Sequence, residues 1–116
     1  MHANFDAKLT IDTSDSSKVN AKGPLIWDPN AVPPTGTSCR ISATITQTVG
    51  GNLVVATGNW NRNYNKGNKS WDGVVEAPDG ETFQAGGASA SGVITVTNPA
   101  SPPQSSPWGP QAVTLV

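Results

Sequence analysis

The residues best suited to chemistry lie between positions 59 and 71, where asparagine recurs at 59, 61, 63, 65 and 68 around Trp60, Tyr64 and Trp71. In an extended chain alternate side chains share a side, so Trp60, Arg62 and Tyr64 fall together and the asparagines fall opposite. An aromatic face packs against the C–H face of a sugar, while amides both donate to and accept from its hydroxyls. Trp60, Arg62, Tyr64 and Trp71 are therefore the candidate ligand-binding set, and a glycan is the ligand their chemistry suits. The competing reading is structural: both tryptophans sit at strand ends and plug a core, and the asparagines make turns.

Catalytic constellations are not assembled in the sequence. The one histidine is His2, near the start of the chain, and a general base must be held within hydrogen-bond reach of its nucleophile. Cys39 is the one cysteine, which excludes an internal disulfide and any multi-cysteine metal motif; its place at the head of an alternating run marks it as a small buried hydrophobe. Asp72 with Glu76, and Asp79 with Glu81, are the remaining acid–base pairs, and both fall where carboxylates usually serve solubility or turns. No catalytic residue, cofactor or metal ligand is assigned. Asp12 with Asp15, or Asp79 with Glu81, supply hard oxygens that suit Ca²⁺, but without the dense spacing of a dedicated loop. A net charge of -1 gives no basis for nucleic-acid binding, and Arg62, Lys66 and Lys69 read as a solvated loop.

The elements that must position these residues are strands. Phe5, Ala7, Leu9 and Ile11 alternate with polar residues, as do Cys39, Ile41, Ala43 and Ile45. Gly50-Gly51-Asn52 predicts a tight turn, after which Val54, Ala56, Gly58 and Trp60 share the inward parity. Trp71, Gly73, Val75 and Ala77 form another apolar parity, and Pro78-Asp79-Gly80 predicts a second hairpin, returning through Phe83. Residues 13–22 read as a polar connection. The run 98–110, with five prolines and Trp108, reads as an extended loop. Trp27 and Trp108, each near proline, are expected either to pin loops to the domain ends or to form a contact patch. No window carries a helical stripe, and no stretch approaches the apolar length of a membrane helix.

About seven short strands in 116 residues, with 35% hydrophobic and 13% charged composition, predict a single domain spanning 1–116, an antiparallel Greek-key β-sandwich; a small barrel is the competing architecture. In length, strand count and turn spacing the chain resembles immunoglobulin-like sandwiches of bacterial secreted and surface proteins. The resemblance is one of pattern, without the Cys-Trp-Cys set, so it transfers no functional residue. With no catalytic set assembled and a polar surface rich in Thr, Asn and Gly, the chain is expected to be a secreted or cell-surface, non-enzymatic module for ligand binding, adhesion or assembly, with a glycan or protein surface as partner and no membrane insertion. The alternatives are a carbohydrate-binding module using 59–71, and a structural subunit of a particle or fibre.

Overall fold

Alternating Thr, Val, Ile and Ser favour extended backbone, and the structure, a computed structural model, consists of strands joined by turns. It describes residues 2–26, 38–62, 70–98 and 101–116. The strands are β1 (His2–Ala3), β2 (Lys8–Ile11), β3 (Lys18–Ile26), β4 (Ser38–Val49), β5 (Asn52–Arg62), β6 (Ser70–Glu76), β7 (Gly86–Asn98) and β8 (Ser101–Leu115).

The expected two-layer, immunoglobulin-like sandwich does not form. Seven strands close into a single β-barrel in the order β3-β2-β8-β7-β4-β5-β6, with β6 returning to β3. Period-two alternation is the same in a sandwich and a barrel, and the difference lies in what happens at the edges. Here β3 pairs with β6 from Lys18↔Glu76 to Pro24↔Ser70, and β2 pairs with β8, so the would-be edges are joined. Seven strands cannot alternate in direction around a closed circuit, so one neighbouring pair must run parallel, and that pair is β2 with β8. The two-residue β1 extends the barrel wall against the end of β3.

The inward parities are those read from the sequence for β4, β5 and β6. Cys39, Ile41, Ala43 and Ile45 of β4, Val54 and Ala56 of β5, and Trp71 and Val75 of β6 are buried, and they meet Leu9, Val19, Ile94 and Leu115 in one core. Each large aliphatic side chain so buried stabilises the fold by about 1.5–3 kcal/mol. Outward positions of β4 carry Arg40, Ser42, Thr44 and Thr46. The β4–β5 turn is the two-residue Gly50-Gly51 connection, with φ of 58° and 83°, the left-handed pair a right-twisted hairpin needs.

Three expectations fail locally. Residues 18–22 are not connection but the start of β3, whose inward side chains Val19, Ala21 and Leu25 leave Gly23 between them. Residues 101–110 are strand, not loop: β8 meets β2 only near its end, at Thr114 and Leu115, so prolines upstream lie on an edge where no ladder donor is required. The hairpin through Pro78-Asp79-Gly80 is absent, because β6 pairs with β3 and β5 instead, and Phe83 is buried from a non-strand segment whose amide donates to the Ser16 carbonyl at 2.8 Å. The buried Gln47 amide ties this segment down, donating to the carbonyls of Gln84 and Gly87 and accepting from the Gln84 amide.

The β2–β8 seam is short, and a side chain extends it. Gln111 Nε2 donates to the Phe5 carbonyl at 2.9 Å and its Oε1 accepts from the Phe5 amide at 3.2 Å, so a β8 side chain takes the place of the backbone ladder beyond its end. Gln111→Ala leaves both Phe5 backbone groups without these partners. The expected loss is about 1–3 kcal/mol, read as a lower denaturant midpoint at unchanged m-value.

Candidate functional site

Of the aromatic residues singled out by the sequence, Trp60, Trp71 and Trp108 meet inside the barrel. The last residues of β3, β5 and β7 and the first of β4, β6 and β8 lie at one end, and towards that end the lumen is filled by rings. Trp71 is the centre, 2% exposed, with its Nε1 donating to the Asn4 carbonyl at 2.9 Å. Trp60 stacks on it at 5.8 Å and 28°, Phe5 meets it edge-on at 5.3 Å, and Trp108 at 5.8 Å and 64°. Small neighbours make the room: a Cβ on Gly73 would lie 2.5 Å from the Trp60 ring, and one on Gly92 would lie 2.4 Å from the Trp108 ring. Trp60 and Trp108 are half-buried, yet their Nε1 atoms are buried and meet no hydrogen-bond partner among the described residues.

The structure therefore brings Trp60 and Trp71 together, as a stacked pair of the barrel interior. Arg62 closes β5 opposite Cys39. Tyr64, Lys66, Lys69 and Trp27 lie outside the described residues. Trp108 belongs to the ring cluster, which answers the question of pin or patch in favour of packing for that residue.

With the Trp60 and Trp71 rings turned inward, concave surface that could take a ligand is found on the outer wall. Across β2, β3 and β6 runs a groove formed by two adjoining hollows of about 390 and 460 Å³. Lys22 and Asp72, cross-strand partners on β3 and β6, stand in both. Thr10, Asn20 and the half-exposed Val74 line the first, and Asp6, Pro24 and Ser70 line the second. This wall offers two carboxylates, an ammonium, an amide and two hydroxyls around small apolar spots.

The chain matches no family model, no curated protein and no solved structure.

Two of the carboxylates considered for Ca²⁺, Asp12 and Asp15, hold a turn. Asp12 Oδ1 accepts from the Ser14 hydroxyl at 2.7 Å, the Ser14 amide at 2.8 Å and the Asp15 amide at 3.2 Å. Asp15 Oδ1 accepts from the Ser17 hydroxyl at 2.6 Å and the Ser17 amide at 3.1 Å, while Lys18 Nζ stands 3.6 Å from Oδ2. These are turn-forming bonds that hold the β2–β3 connection. Among the described residues no three His, Cys, Asp or Glu side chains gather as metal ligands.

The same bonds set the acid response. The Ser14 hydroxyl and amide hold the Asp12 carboxyl below its ordinary value of 3.8, and the Ser17 hydroxyl and amide do so for Asp15, with Lys18 assisting. Folding thus favours the charged forms. The stability they contribute is full above pH 3.8 and is lost as pH falls through the lower folded values. In the Asp12→Ala, Asp15→Ala double variant the fall in stability between about pH 5 and pH 2 is shallower, measured by denaturant titration at each pH.

Lys22, Asn20 and Asp6 were not candidates in the sequence reading. The outward parity of Asp6 is visible there, but Asn20 and Lys22 fall in the run read as a connection, and nothing in the sequence says that β3 lies beside β6; the groove exists only because it does.

Proposed function

We propose that this chain is a non-enzymatic binding module, acting outside the cell or at its surface, that takes a polyhydroxylated ligand such as a glycan in the groove across β2, β3 and β6. The observation that carries this reading is the alignment of Lys22 with Asp72 in a concave wall with polar side chains, while the Trp60 and Trp71 rings are packed into the core cluster. Carboxylates at Asp6 and Asp72 accept from ligand hydroxyls, Lys22 donates, Asn20 does both, and Val74 and Pro24 offer apolar contact to C–H groups. Outward residues of β4 are polar, where a lipid-facing barrel carries apolar ones. Among the described residues no helix is long and apolar enough to cross a membrane.

The test is a glycan array followed by calorimetry on any hit. Lys22→Ala and Asp72→Ala each weaken binding by about tenfold, the effect of one charge-assisted hydrogen bond, and leave the thermal midpoint nearly unchanged because both side chains are exposed. Binding that is indifferent to both substitutions, or that is abolished by Trp60→Ala in a chain that stays folded, would move the site to the ring cluster and end this reading.

A further inference from the structure

Residues 2–11 are held in the barrel as a peptide is held in a groove. Their backbone meets β3 through Asn4 N to the Pro24 carbonyl, Asp6 N to the Lys22 carbonyl and the Thr10↔Asn20 and Ile11↔Val19 pairs. On the other side they meet β8 through Thr114 N to the Ala7 carbonyl, Val116 N to the Leu9 carbonyl and Ile11 N to the Val116 carbonyl. Where no strand faces residues 4 and 5, side chains take over. Trp71 Nε1 donates to the Asn4 carbonyl, and the Gln111 amide pairs with both backbone groups of Phe5. Gly23 leaves space for this crossing, since a Cβ there would lie 1.8 Å from the Asn4 carbonyl oxygen. The anchors are apolar and sunk into the core: Ala3, Phe5 and Leu9 are 2%, 3% and 0% exposed.

From this geometry we infer that residues 2–11 are an exchangeable strand, and that the slot between β3 and β8 is an interaction surface for the same segment of a second copy of this chain. The slot is complementary to that segment by construction, so every contact above is reproduced when the segment comes from another molecule; only the 12–17 connection changes, from a turn to a crossing. The inference is independent of what the outer groove binds.

Deleting residues 12–17 from the full chain leaves Lys18 alone between the paired Ile11 and Val19, too short for any hairpin. The expected product is a dimer of doubled mass that keeps the near-ultraviolet circular dichroism of the packed tryptophans. Phe5→Ala in that background weakens dimerisation by about a hundredfold, because its anchor is gone. If the shortened chain does not fold, the unmodified chain decides: unfolded in guanidinium chloride and refolded at about millimolar concentration, it yields a dimer that survives dilution. Monomers alone on refolding of the unmodified chain, a folded monomer from the shortened one, or a dimer of the shortened chain indifferent to Phe5→Ala would overturn the inference.

Discussion

Trp71→Ala lowers the folding free energy by about 3–5 kcal/mol, a large fraction of what a domain of this size possesses. Trp71 is 2% exposed and touches Phe5, Trp60 and Trp108, so its removal opens a void that three other rings border. It also strips the Asn4 carbonyl of the indole donor. Trp71→Phe separates the two contributions. It keeps an aromatic ring in the cluster and removes the N–H, and the expected loss shrinks to about 1–3 kcal/mol. Guanidinium titrations followed by circular dichroism measure both. A Trp71→Ala chain within about 1 kcal/mol of the parent would show that the cluster is not the core of the barrel end.

The second large effect comes from the smallest side chain. At Gly23 a Cβ would meet the Asn4 carbonyl oxygen at 1.8 Å, its carbon at 2.7 Å and the Phe5 Cα at 2.9 Å. All three are backbone atoms, so no rotamer change relieves the overlap, and residues 4–5 must lift away from β3. Gly23→Ala therefore costs at least about 3 kcal/mol, the upper end for overpacking. It also exposes the Phe5 and Asn4 amides to hydrogen exchange. Gly87 is the control: on β7, nothing lies within 4 Å of its added Cβ, and Gly87→Ala changes stability by about 0.5 kcal/mol or less. At Gly73 the neighbour is the half-buried Trp60 ring, which has somewhere to go, so Gly73→Ala falls between these two.

These positions show where reading a chain reaches its limit. Trp71 was legible as an inward residue from the parity it shares with Gly73, Val75 and Ala77, and as a plug from its place at a strand end. Its partner in hydrogen bonding was not legible, since Asn4 and Trp71 are 67 positions apart. The role of Gly23 was not legible either, because a glycine that makes room for a distant backbone looks like any other. β3 was lost for the same reason: its inward set of Val19, Ala21, Gly23 and Leu25 is too small to register as an apolar alternation, although it faces large rings across the lumen. The proline-rich start of β8 was misread by a sound rule. Proline is excluded from paired edges, and this strand has an unpaired one until Thr114.

Local order follows from chain chemistry alone. β-branched and small polar residues in alternation dictate extended segments and choose which side of each faces the interior, and Gly50-Gly51 dictates the sharp return between β4 and β5. These are preferences of single residues and near neighbours, which act in any architecture. Closure is of another kind. Whether the sheet splits into two layers or joins β3 to β6 and β2 to β8 depends on pairings between distant segments, and alternation is blind to them because both outcomes bury the same faces. The groove inherits that dependence: Lys22 and Asp72 are 50 positions apart in the chain, and only the register of β3 against β6 sets them side by side.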